Sequence, residues 1–98
     1  MDKRIRHIDR ERDRELREQM YRQLAAGTVT LGQAVKMMRR ISHLTQPEFA
    51  SHRDISVDAL RRIEADKGNP TVDTLNKIGS IFGLKVGFVP AAGMDRKP

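Results

Sequence analysis

Helix-capping polar residues recur through the middle of the chain, and each is followed by an apolar stripe that is soon cut off. Thr30, Thr45, Ser56 and Thr71 are these residues. A side-chain oxygen at such a position accepts from a backbone N–H that the helix itself leaves unpaired, so each marks a start. Leu31, Ala34, Val35, Met38 and Ile41 follow Thr30 at one-faced helical spacing. Thr45 stands three residues before Glu48, a capping box, with Pro47 in the first turn, where its missing N–H costs nothing. Phe49 and Ala50 are its inward residues, and this helix gives out near Arg53-Asp54. After Ser56, Leu60 and Ile63 face the core. After Thr71, the stripe is Val72, Leu75, Ile78, Ile81 and Phe82, ended by Gly83, with Asp73 favourably near the positive helix end. Lys67-Gly68-Asn69-Pro70 is a turn cluster. A chain punctuated this closely makes a bundle of short helices, and the expected class is all-α with four to five helices.

The flanks differ in character. Residues 2–26 are densely charged in both signs, with Leu16, Met20 and Leu24 recurring every fourth position and Gly27 as a stop. The segment reads as a helix with i,i+4 ion pairs and a narrow apolar seam. It either extends the domain or serves as an arm for a second subunit, DNA or a protein partner. Residues 84–89 alternate like a short strand, which in a helical chain has nothing to pair with and tends to recruit another chain. A two-fold dimer joined through Leu84, Val86 and Phe88 would satisfy it. The expected organisation is a charged helical extension over 1–27, a compact domain with its terminal strand over 28–89, and a disordered tail over 90–98.

Composition removes several function classes. The chain has 98 residues, enough for one small domain, and a large enzyme core is out of reach. A net charge of +6 and a pI near 10.3 favour a polyanionic partner, because neutralised phosphates release counterions. Cysteine is absent, which excludes disulfides, thiolate metal sites and cysteine nucleophiles. No apolar run approaches a membrane span and the charged N-terminus has no leader core, so the expected compartment is the cytoplasm. His7, His43 and His52 lack metal-ligand spacing and read as surface residues. Ser42-His43 and Ser51-His52 are neighbours whose side chains diverge on a helix, giving no nucleophile and base. The phenylalanines fall on apolar faces, so no stacking platform for unpaired RNA bases is expected. Neither enzymatic activity nor any cofactor or metal is expected.

Residues 46–65 resemble the helix-turn-helix of the Cro and phage-repressor class, the XRE family. Thr45-Gln46 opens the motif, Ala50 is small where two helices must cross, Ile55 follows the turn, and Leu60 and Ile63 pin the second helix. Arg39 and Glu64 complete the likeness, which covers the four-helix pattern over about residues 31–84. The ending Leu84-Lys85-Val86-Gly87-Phe88-Val89-Pro90 looks, more loosely, like the HipB/HigA-type antitoxin branch. One departure is Asp54, where the family usually has glycine for a backbone at positive φ, a region aspartate tolerates better than most residues.

The resemblance implies a lambda-repressor-like DNA-binding bundle. Carried over by position, Ser56, Val57, Asp58 and Arg62 point into the major groove. Arg62 is the candidate for a bidentate guanine contact, Val57 for a thymine methyl and Asp58 for a cytosine amino group. Thr45, Gln46, Arg61, Lys67 and Asn69 would meet the DNA backbone. Arg39 and Glu64 would form a partly buried structural ion pair. The implied function is a sequence-specific dimeric repressor on a pseudo-palindromic operator of double-stranded DNA. It would be the autoregulator of a toxin–antitoxin operon, bound also to a cognate toxin. The alternative is a free-standing phage- or mobile-element-type regulator without one. A fold that kept its shape but bound only proteins is disfavoured by Arg61 and Arg62.

Overall fold

A computed structural model describes residues 9–91. Five helices follow in order: α1 Arg10–Ala26, α2 Leu31–Ile41, α3 Gln46–His52, α4 Val57–Glu64 and α5 Val72–Gly79, the last running on into a 3₁₀ turn, Ser80–Phe82. The architecture is all-helical and compatible with a helix-turn-helix bundle, with α3 and α4 as the two short helices around the turn. The part of the charged segment before Asp9 and the tail beyond Ala91 lie outside the described residues.

Each helix starts where a side chain captures an orphan N–H. Asp9 accepts from Arg12, Thr30 from Gln33, Thr45 from Glu48, Ser56 from Ala59 and Thr71 from Thr74. At Thr30 and Thr45 the box is reciprocal, because Gln33 and Glu48 accept back from the cap N–H.

The core is one cluster around Met20, Val35, Phe49, Leu60 and Ile78, each at most 2% exposed. Met20 comes from α1, so the charged helix packs on the domain, with Leu16 and Leu24 on either side of it. Polar contacts add to that seam. Tyr21 donates its hydroxyl to the Phe82 carbonyl at 2.7 Å, and the Arg17 guanidinium lies 5.7 Å from the Phe82 ring centre.

Three expectations fail. Leu31, Val72 and Ile81 follow helical spacing but are 46%, 60% and 69% exposed. Leu31 and Val72 stand at the first turns of their helices, beyond the edge of the packed faces, and Ile81 lies where the tighter 3₁₀ pitch rotates the stripe outward. Among the described residues there is no strand: residues 84–91 run without a ladder. The Val86 N–H is instead satisfied within the fold, by Asn76 Oδ1 at 2.8 Å. Leu84 is half-buried against the core, whereas Val86 and Phe88 are exposed. Phe88 is therefore not buried on an apolar face, as its sequence pattern suggests, but stands exposed at the rim of an apolar groove.

Candidate nucleic-acid interface

The inner side of α4 is held by carboxylates. Leu60 and Ile63 enter the core with Glu64 buried beside them. Arg39 donates from Nε to Glu64 Oε2 at 2.7 Å and from Nη2 to Oε1 at 3.0 Å, and Gln46 Nε2 donates to Oε1 at 3.1 Å. Arg39 Nη1 also reaches the Leu44 carbonyl at 3.2 Å. Burial pushes the Glu64 carboxyl up. The hydrogen bonds from Arg39 and Gln46, with the charges of Arg39 and Lys36, outweigh it and hold the group below its ordinary value. The hydrogen bond to Glu64 likewise holds Arg39 above its own. The Arg39–Glu64 pair thus ties together α2, the turn after it, the start of α3 and the end of α4.

Asp66, just past α4, does the same for the start of α2. Its Oδ2 accepts from the Thr30 hydroxyl at 2.7 Å and its Oδ1 from the Gly32 N–H at 2.7 Å. These two bonds, Thr30 first, hold its carboxyl below the usual range. The helices meet closely here: a Cβ on Gly32 would lie 2.6 Å from the Ile63 carbonyl and 2.8 Å from that of Glu64. Any side chain at 32 would push α4 away.

The outer side of α4 is polar and open. Ser56, Asp58, Arg61 and Arg62 are exposed, and Arg62 Nε lies 3.4 Å from Asp58 Oδ2 one turn back. Exposed Lys67 and Asn69 follow in the turn, and a cleft of about 360 Å³ runs between α4 and the start of α5, lined by Ser56, Asp58, Arg62, Lys67, Asn69 and Thr71. Cations, hydroxyls and an amide around one cleft, with the single carboxylate of Asp58 among them, suit phosphate oxygens and base edges.

The chain is similar to the immunity repressor protein of Bacillus phage phi105, 33% identical over 61 residues. That stretch is 62% of this chain but 42% of the repressor, so the chain spans less than half of its relative's length. No family model matches the chain, and no solved structure matches it.

Two residues assigned to the interface are partly committed elsewhere. Val57 is half-buried and packs against the core, so only part of its side chain faces out. Gln46 is half-buried and spends its amide on Glu64. Thr45 is exposed; its oxygen accepts from the Glu48 N–H at 3.3 Å, which leaves its hydroxyl hydrogen for another acceptor.

Sequence reading missed several neighbours. His43 is half-buried, not a surface residue: its Nε2 lies 3.0 Å from both carboxylate oxygens of Asp13 on α1. His52 is exposed, and His7 lies outside the described residues. Arg53, at the end of α3, is 6% exposed, with its guanidinium 4.3 Å from the Phe49 ring centre and no hydrogen-bond partner for Nε among the described residues. Burial pushes its pKa down. The signal that could have found the Asp66 latch was Gly32, since a glycine inside a helical pattern marks close approach. No signal marked Arg53. Among the described residues no helix is long and apolar enough to cross a membrane, and no group of side chains is fit to hold a metal ion.

Proposed function

We propose that the chain is a sequence-specific DNA-binding transcriptional repressor that acts in the cytoplasm, as a homodimer on a pseudo-palindromic operator. The observation that carries this reading is the two-sided character of α4. Its inner side is clamped through buried Glu64 and its Arg39 partner, with Asp66 fastening the end of the helix to α2, while Ser56, Asp58, Arg61 and Arg62 are left outward. A B-form major groove admits one such helix, read from its leading residues. The likeness to a phage immunity repressor supports the same class.

In this reading Arg62 meets a guanine, with Ser56, Asp58 and the outward part of Val57 beside it. Arg61, Lys67, Asn69 and the Thr45 hydroxyl meet phosphates, which set register without reading sequence. Gln46 serves the backbone indirectly by holding Glu64. One module makes few contacts, so two are joined, with half-sites about 34–36 Å apart. Residues 84–89, with exposed Val86 and Phe88, are the proposed joint.

The free-standing phage-type regulator is preferred to the toxin-bound autoregulator, because the relative is a phage repressor and the strand that favoured the antitoxin branch is absent from residues 84–89. Selection from random duplex DNA at physiological salt, with sequencing of the bound pool, tests the proposal. An enriched motif with two-fold symmetry is expected; a pool without sequence preference overturns it.

A further inference from the structure

Resting on that reading, we propose that Asp58 contacts no base and instead positions Arg62, making a general cation into a guanine reader. Two separate observations converge on the Arg62 side chain. Its Nε lies 3.4 Å from Asp58 Oδ2, on the preceding turn of α4. Its stem runs along the turn after the helix: a Cβ placed on Gly68 would sit 3.7 Å from both Arg62 Cβ and Cδ. That turn is itself fastened to Arg62, whose carbonyl accepts from the Lys67 N–H at 2.8 Å.

A guanidinium carries five N–H donors in a fixed planar fork. With a carboxylate 3.4 Å from Nε and the stem resting on the turn, the Nη edge is the one the proposal leaves for a partner. A bidentate contact to guanine O6 and N7 needs two parallel donors on such an edge. Orienting the side chain before binding removes ordering cost from the encounter. The negative charge beside it also disfavours the competing use of Arg62, a loose contact to the nearest phosphate. Both side chains are largely exposed, 65% for Arg62 and 72% for Asp58, so the pair contributes little to folding and is free to act in recognition.

The test compares wild type with D58N, D58A, R62A and the double variant D58A/R62A by fluorescence anisotropy over a range of salt. Three duplexes are used: the selected sequence, the same sequence with single G·C pairs replaced, and a random duplex. D58N and D58A are expected to bind random duplex roughly two- to fivefold tighter, with the salt slope steeper by about 0.9 as a freed Arg62 finds a phosphate. Both should lose roughly tenfold discrimination at a single G·C pair, the one R62A also relaxes. On the R62A background, D58A should leave discrimination at that G·C pair unchanged, with only the small general gain that loss of one negative charge gives on every duplex alike. In the free protein, the Arg62 Nε–H signal should become more mobile by NMR relaxation in D58N, with melting little altered.

Additive losses in the double variant, or discrimination lost by D58A at a pair that R62A leaves intact, would assign Asp58 to a cytosine amino group and overturn the inference. Unchanged Arg62 mobility would overturn it as well. Failure of the wild type to prefer any duplex sinks the parent reading. Preference by the wild type with D58N and D58A indistinguishable from it sinks only this one.

Discussion

Charge placement at single residues separates two kinds of carboxylate in this protein. Glu64 is structural by burial, with its side chain 3% exposed and three donors on it. Glu64→Ala would strand Arg39, whose side chain is only 17% exposed, and should cost about 3 kcal/mol in a urea melt. A loss well under 1 kcal/mol would mean that water reaches the pair. Asp66 is structural while remaining exposed, because it works through the Thr30 hydroxyl and Gly32 N–H. Its folded pKa is depressed, so its contribution is complete above the unfolded aspartate value, about 3.9, and is lost as pH falls through the folded value. Asp66→Asn should therefore lower the melting temperature at neutral pH, with the gap to wild type closing in acid. A gap independent of pH would show that the charge is irrelevant. Arg53 is a buried cation set over the face of the Phe49 ring, and among the described residues its Nε has no hydrogen-bond partner; the aromatic face offsets part of its desolvation.

Helix ends follow one device repeated along the chain. After α1, α2, α3, α4 and the 3₁₀ turn, one residue takes a left-handed backbone: Gly27, His43, Asp54, Asp66 and Gly83, with φ of 70°, 60°, 58°, 59° and 71°. In each case the next N–H bonds back five residues: Thr28 to Gln23, Leu44 to Arg39, Ile55 to Ala50, Lys67 to Arg62, and Leu84 to Gly79. Leu44, Ile55 and Leu84 then pack on the core, the apolar contact typical of this stop. The chain can change direction five times in little length because each reversal satisfies its own carbonyls. Asp54→Gly removes left-handed strain at one of these stops, and its 96% exposed carboxylate gives up only a 4.0 Å approach to Lys77. The stability change should be neutral to about 1 kcal/mol favourable, set against the extra unfolded-state freedom of glycine. A clear drop in melting temperature would mean that the Asp54 side chain matters more than its backbone.

For the molecule as a whole, the unbalanced feature is the apolar end of the chain. A groove of about 430 Å³ is lined by Leu24, Leu31, Val35, Leu75, Ile78 and Leu84, and beside it Phe88 is fully exposed and Val89 74% exposed. Burying such side chains is worth about 1.5–3 kcal/mol each, and a two-fold dimer would gain that contribution twice. Phe88→Ser should shift the sedimentation coefficient from dimer towards monomer at micromolar concentration, leaving thermal melting of the monomer unchanged. A wild-type chain that already sediments as a monomer at tens of micromolar would remove residues 84–89 as the joint.

Local chemistry was legible in the residues alone. Helix starts at Thr30, Thr45, Ser56 and Thr71 and stops at Gly27, Asp54 and Gly83 are decided within a few positions of the chain, since a cap bonds to its own neighbours. The polar outer face of α4 followed from the same periodicity, and Arg39 with Glu64 came from resemblance, because nothing in spacing joins residues so far apart. Tertiary structure alone decided what distance in sequence hides. It left Leu31, Val72 and Ile81 outside, engaged Gln46 and part of Val57 inside, brought Asp66 onto α2 and Asp13 onto His43, and buried Arg53. It also left residues 84–89 without a partner strand among the described residues, and a strand exists only when a second one is present to receive its hydrogen bonds.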